Sequence, residues 1–207
     1  MKLILPAGPF GAYLFDCDGT IVDSMPLHYQ AWKQALAECN CEFDEQLFYA
    51  WGGIPVAEII SLLNQQQGLH MDVQKVARRK EGLYLEQLPH LQAIPEVVEH
   101  IDNQFGRIPL AVVSGSTRES VIASLTTVRL LDRFQTLVCA GDYGHSKPDP
   151  EAFLVAAARL SVAPQRCLVF EDTEMGIQAA QAGGMSWVKV PPPWERRSRD
   201  ESYPQTP

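Results

Sequence analysis

Apolar residues fall into two rhythms along this chain. In the first, short runs are apolar almost without interruption: Ala12–Phe15, Leu110–Val113, Thr136–Ala140, Cys167–Glu171 and Ser186–Val190. Such runs predict parallel strands covered on both faces. In the second rhythm, apolar positions recur at helical spacing. Glu119–Leu131, Pro150–Leu160 and Glu174–Ala182 alternate with the last four strands. Strand and helix in alternation predict an open parallel sheet with helices on both faces. The stretch from Leu27 to Leu91 breaks the alternation. Leu27–Cys39 sets His28, Trp32, Ala35, Leu36 and Cys39 at helical spacing, and Val56–Gln67 and Asp72–Leu88 read as further helices. A helical block after the first strand predicts a small module over one end of the sheet. The expected organisation is an α/β core of residues 1–24 and 92–190, a helical cap of residues 25–91 and a proline-rich tail of residues 191–207.

Composition narrows the partners. The 207 residues are 46% hydrophobic and 20% charged, as in a soluble globular chain with a core of useful size. The net charge of −8 suits neither nucleic acid nor an anionic membrane. An anionic small molecule fits if a pocket gathers the few positive charges. Leu3–Phe15 is too short to span a bilayer and is broken by prolines and glycines. It is not expected to be a secretion signal either, since no small-residue cleavage site follows and Asp16 and Asp18 come directly after it. Five cysteines, an odd number without a C-x-x-C pair, are expected to be reduced thiols in a cytoplasmic protein.

The candidate chemistry lies at the strand ends. Asp16 and Asp18, in FDCDGTIVD, are two apart on an extended chain and project to one side. Carboxylates there can hold a hard cation, attack as nucleophile or move a proton; a solvated Asp-Gly turn is the alternative. Ser114 precedes Gly115, Ser116 and Thr117. Ser116 and Glu119 match a capping box that would start a helix near residue 117 and aim N–H groups at an anion. A plain cap would look the same. Lys147 stands before Asp149 and Pro150, which suit a helix N-cap and first turn; a solvated lysine is the alternative. Glu171 and Asp172 would repel the first pair unless a divalent cation intervened, or would simply favour a helix N-terminus. Chance rarely sets all four at strand ends.

The stretches FDCDGTIVDS, AVVSGS, HSKPDP and VFEDTEMGIQAA, in this order, resemble the haloacid dehalogenase (HAD) superfamily over about residues 10–190. Within it, the chain resembles the β-phosphoglucomutase-like and sugar-phosphate phosphatase subgroup. The resemblance implies a Rossmann-like core with a small cap, since the long stretch from Asp16 to Ser114 leaves room for one. It also implies roles. Asp16 would be the nucleophile and form an aspartyl-phosphate, and Asp18 the acid and base. Ser114, the Gly115 N–H and Lys147 would hold the phosphoryl oxygens. Asp16, the Asp18 carbonyl and Asp172 would bind Mg²⁺, supported by Glu171. Ser24 and His28 match positions near the cap hinge, His28 supporting Asp18, and Lys80 resembles a cap lysine that reaches the substrate phosphate. A packed helix histidine and a solvated lysine are the alternatives for these last two.

Departures from the family pattern choose the reaction. No Lys or Arg occurs between Lys33 and Lys75, whereas a mutase of this kind grips a second phosphate with a cap arginine near Val56. A phosphonatase would need a cap lysine there, and a dehalogenase would lack Asp18. The expected activity is Mg²⁺-dependent hydrolysis of a small phosphomonoester, such as a sugar phosphate, by a monomer. The GGIP loop, from Gly52, resembles that of fructose-1-phosphate and 6-phosphogluconate phosphatases. A phosphosugar mutase and a non-catalytic phosphate-binding protein are the alternatives.

Overall fold

A computed structural model describes residues 3–192 and residue 195. The expected tail, residues 191–207, lies outside the described residues except for Pro191, Pro192 and Glu195. The chain runs β1 (Ala12–Phe15), α1 (Met25–Ala37), α2 (Glu45–Ala50), α3 (Val56–Gln67), α4 (Val73–Gln87), α5 (Pro95–Gln104) and β2 (Leu110–Val113). It continues through α6 (Arg118–Thr127), β3 (Thr136–Val138), α7 (Glu151–Arg159), β4 (Cys167–Glu171), α8 (Glu174–Ala182) and β5 (Ser186–Lys189). The strands form one sheet in the order β3-β2-β1-β4-β5, every pair parallel. This is the α/β, Rossmann-like arrangement.

Alternate residues of each strand face opposite layers. Tyr13, Phe15, Leu110, Val112, Leu168 and Phe170 pack with Val97 and Ile101 of α5 and Val121 and Leu125 of α6. Ala12, Leu14, Ala111, Val113 and Val169 face Ala152, Phe153 and Ala156 of α7 and Ala179 and Ala180 of α8. Phe15 and Phe170 stack at 4.5 Å between β1 and β4. Helices on both faces explain why the strands read as continuous apolar runs.

Helices α1 to α4 follow β1 over the span expected as the cap and carry an apolar cluster of their own, with Trp32, Leu36, Phe48, Ile60, Leu63 and Val76 among its members. Small residues, Ala31 and Ala35, let α1 lie close against Leu83 and Tyr84 of α4. The two crossings between cap and core run side by side: Asp23 N–H donates to Gln92 O at 2.9 Å and Ile94 N–H to Ile21 O at 2.9 Å.

Several details differ from expectation, and helix α6 ends at Thr127, short of Leu131, where Arg129 takes a φ of +59°. The third strand stops at Val138 because the Ala140 N–H turns to Ser116 O, at 3.0 Å. Helix α7 begins at Glu151, one residue late, although Asp149 still accepts from the Glu151 N–H at 2.9 Å. Helices α2 and α5 lack the long periodic run that marks the others; α5 opens with proline and buries Val97, His100 and Ile101 on one face.

Candidate active site

All five strands point the same way, so the residues that follow them share one edge of the sheet. Asp16 follows β1, Ser114 follows β2, Lys147 lies in the loop after β3, and Glu171 and Asp172 close β4. Strand order reverses between β1 and β4, the place where open α/β sheets bind ligands. A cavity of about 240 Å³ opens there. Asp16, Asp18, Ser114, Gly115, Lys147 and Glu171 line its core side, and Met25, His28, Trp51, Ile54, Val56 and Lys80 its cap side.

Lys147 is 8% exposed, and Asp16 7%, so neither is a solvated surface charge. The Lys147 ammonium donates to Asp16 Oδ1 and Glu171 Oε2, both at 2.7 Å. Burial opposes its charge, but the two carboxylates outweigh burial and raise its pKa. The other oxygen of Glu171 accepts from the Thr173 N–H at 3.0 Å and hydroxyl at 2.6 Å. Asp172 accepts from the Thr20 hydroxyl at 3.2 Å. Two glycines make room. Any Cβ on Gly19, whose φ is +84°, would run into the Asp172 carboxylate, and one on Gly176 into that of Glu171.

One ammonium does not balance this many carboxylates. Asp16, Glu171 and Asp172 each offer an oxygen, all within 4.8 Å of one another. Burial raises Asp16 well above the carboxylate range despite Lys147, and Glu171, Asp172 and Asp18 add to the rise. Burial, then Glu171, pushes Asp172 up to about 8. A hard divalent cation among these oxygens would reverse both shifts. The residues present therefore fit Mg²⁺.

Asp18 lives in a different environment. Its Oδ1 accepts from the Ser24 hydroxyl at 2.7 Å and meets His28 Nε2 at 3.0 Å. Its Oδ2 accepts from Ser116 at 2.8 Å and Ser114 at 3.3 Å. Burial alone would raise Asp18; His28 and the hydroxyls of Ser24 and Ser116 overcome burial and hold it well below the ordinary range. Ser24 precedes α1 yet gives that helix no side-chain cap, because its hydroxyl is committed to Asp18.

A chain of contacts leads from Asp18 into the cap. His28 Nδ1 lies 3.0 Å from Lys80 Nζ. An ammonium has only donors, so Nδ1 accepts and Nε2 carries the proton given to Asp18. Burial and then Lys80 push His28 below its ordinary pKa, leaving the ring neutral at pH 7. The ring stacks on Tyr84 at 3.8 Å. Lys80 is 4% exposed and lies over the Trp32 and Tyr84 rings. The histidine is both packed and bonded to Asp18, and the lysine is not solvated.

Every core residue singled out in the sequence reaches this cavity or its carboxylate cluster. The capping box does not form: Thr117 caps α6, accepting from the Ser120 N–H. Ser116 is thereby free to hold Asp18. Thr20, Tyr143 and Thr173 also belong to the site's hydrogen-bond network and carry no sequence signal beyond small polar or aromatic residues in turns. Cys17, between the two aspartates, turns into the sheet core. The five cysteines are free thiols, and no described helix is long and apolar enough to cross a membrane.

Residues 13–190 match the haloacid dehalogenase-like hydrolase family. The chain belongs to that family of hydrolases. It is similar to fructose-1-phosphate phosphatase YqaB of Escherichia coli strain K12, with 35% identity over 182 residues, 87% of this chain and 96% of that protein. A phosphorylated carbohydrates phosphatase of Thermotoga maritima shares 27% identity, covering 86% of this chain and 83% of its own. Among solved structures, a β-phosphoglucomutase from Clostridium difficile superimposes with a TM-score of 0.78 at 25% identity, covering 86% of this chain and 83% of that one.

Proposed function

We propose that this protein is an Mg²⁺-dependent phosphatase acting on a small phosphomonoester, a sugar monophosphate, with residues 25–91 working as a cap over the reaction. The observation that carries the proposal is the segregation of two neighbouring aspartates. Asp16 faces Lys147 and two other carboxylates, whereas Asp18 is surrounded by proton donors. That is the division between a nucleophile and an acid/base.

In the first step an Asp16 oxygen attacks phosphorus, the ester P–O bond breaks, and Asp18 gives a proton to the leaving oxygen. Asp18 rests as a carboxylate and takes that proton from solvent as the phosphoryl dianion docks beside it, because the added negative charge raises its proton affinity. In the second step Asp18 takes a proton from water, whose oxygen attacks the phosphorus of the aspartyl-phosphate. Phosphate leaves and Asp16 is regenerated. Ser114, the Gly115 N–H and Lys147 hold the equatorial oxygens, and positioning with charge neutralisation does the rest. Asp16, the Asp18 carbonyl and Asp172 would hold Mg²⁺, with Glu171 in support. The cation supplies charge neutralisation at the phosphoryl oxygens and keeps the carboxylates ionised. Ser24, His28 and Lys80 tie the cap to Asp18.

Water is the acceptor in this scheme because the cap side of the cavity offers one described cation, Lys80, and His28 engages it. The sequence carries no Lys or Arg between Lys33 and Lys75, the stretch in which a mutase would set its grip on a second phosphate. The similarity to a fructose-1-phosphate phosphatase supports a sugar monophosphate. Five free thiols agree with a reducing, cytoplasmic setting, and a monomer suffices, since one chain supplies every residue named. The test is phosphate release from a panel of sugar phosphates, with EDTA and Asp16→Asn controls. Release that requires both Mg²⁺ and Asp16 is expected. Conversion of glucose 1-phosphate to its 6-isomer without release would make the protein a mutase, and binding without turnover would make it a phosphate-binding protein.

A further inference from the structure

We infer that Tyr143 is a positioning residue for phosphoryl recognition, its hydroxyl fixing the peptide that aims the Gly115 N–H at the substrate. This rests on the phosphatase reading above. The proposed anion donors come from two loops. Ser114 and Gly115 follow β2; Lys147 lies on the loop after β3, and so does Tyr143. Two consecutive carbonyls at the end of β2 accept hydrogen bonds from this second loop. Lys147 Nζ reaches Val113 O at 3.4 Å, and the Tyr143 hydroxyl reaches Ser114 O at 3.3 Å.

The second of these bonds decides where an N–H points. In a trans peptide the C=O and the following N–H are antiparallel within one rigid plane. Holding Ser114 O therefore fixes the Gly115 N–H on the opposite side. No described acceptor takes that N–H, and Gly115 lines the cavity. Glycine is also the residue whose flanking peptide turns over most freely, and a Cβ on Gly115 would meet nothing within 4 Å. The flanking peptides are pinned by the Ser114 N–H to Val138 O at 2.9 Å and the Ser116 N–H to Ser114 Oγ at 3.0 Å, and the carbonyl of the plane between them is held by the tyrosine hydroxyl. The Tyr143 ring is anchored in turn against the core layer beneath α7.

Tyr143→Phe keeps the ring and removes the hydroxyl. With p-nitrophenyl phosphate, kcat/KM is expected to fall about tenfold, mainly in kcat, the scale of one hydrogen bond. Inhibition by orthovanadate should weaken by a similar factor and inhibition by inorganic phosphate by less, with Tm moving under about 2 °C. On a Gly115→Ala background, where the peptide turns less freely, the same change should cost less. Unchanged kcat/KM and vanadate affinity in the phenylalanine variant would overturn the assignment. So would an equal loss on both backgrounds. If the wild type turned over no phosphomonoester, the phosphatase reading would fail, while calorimetric vanadate binding to the same variants would still decide the role of Tyr143.

Discussion

On the core side of the cavity, buried Lys147 bridges Asp16 and Glu171 with a 2.7 Å contact to each, and Asp172 lies alongside. On the cap side the wall is Met25, Trp51, Ile54 and Val56, with Lys80 and His28 set back among aromatic rings. The core side concentrates charge that costs free energy to bury. The cap side is held by apolar packing and meets Asp18 through His28, with Ser24 at the hinge bonded to the same carboxylate. The proposed chemistry thus sits at the strand ends, and helices α1 to α4 wall the space above it. Variants on the two sides should fail in different ways.

The largest effect is expected at Asp16. Its replacement by Asn removes the attacking oxygen's charge while keeping the shape, and turnover should fall at least ~10⁴-fold. Circular dichroism should show an intact fold. Retained turnover in a folded Asp16→Asn protein would move the nucleophile elsewhere. Next comes His28→Asn on the cap side. Asp18 would lose a donor and Lys80 its acceptor, so kcat should drop ~10²-fold. The limb of the pH–rate profile that belongs to Asp18 should move upward, because a carboxylate with fewer donors takes a proton more readily. A uniform drop with no change of profile would reduce His28 to packing.

The same contrast explains what could be read from the sequence. Strands β1, β2 and β4 are legible because burial on both faces demands unbroken apolar runs, whereas the edge strand β5 buries only Val188 and shows a weaker pattern. The core groups are legible for a related reason: Asp16, Ser114 and Glu171 stand at strand ends and Lys147 in the loop after β3, on the edge where parallel strands bring them together. Helix α5 was not legible, since its apolar face is three residues wide and interrupted by His100. Ser116 has the look of a cap in the sequence because Glu119 completes a capping pattern, whereas Thr117 with Ser120 takes that place. Thr20, Thr173 and Tyr143 are ordinary loop residues until the fold sets a carboxylate or a carbonyl beside them. On the cap, His28 and Lys80 are 52 residues apart, and only the packing of α1 on α4 joins them.

The core side should also reveal itself through pH when no metal is present. Asp172 has an ordinary value of 3.8 and is pushed up to about 8 by burial and then Glu171. Between those values the folded protein keeps a proton that the unfolded chain releases, so its stability falls as pH rises through that window. EDTA-treated protein should therefore melt ~2–4 °C lower at pH 8.5 than at pH 6. Mg²⁺ should restore the difference, and Asp172→Asn should flatten it. A metal-free Tm that rises with pH across this range would contradict the crowded-carboxylate account.

The smallest effect separates the two sides most cleanly. Tyr84 of α4 lies on the cap, yet its hydroxyl meets the Ser124 hydroxyl of α6 at 2.7 Å, both groups buried. Its ring also stacks on His28. Tyr84→Phe keeps the stack and deletes the cross-link, leaving Ser124 short of a partner. A buried hydrogen bond of this kind contributes about 1 kcal/mol, which for a chain of this size lowers Tm by ~2–4 °C. If the cap only shapes the space above a rigid core, kcat and the pH profile should stay as in the wild type while stability falls. If kcat instead drops as far as in the His28 variant, the seam between α4 and α6 holds the relay from Lys80 through His28 to Asp18 in register, and cap and core function as a single unit along that edge.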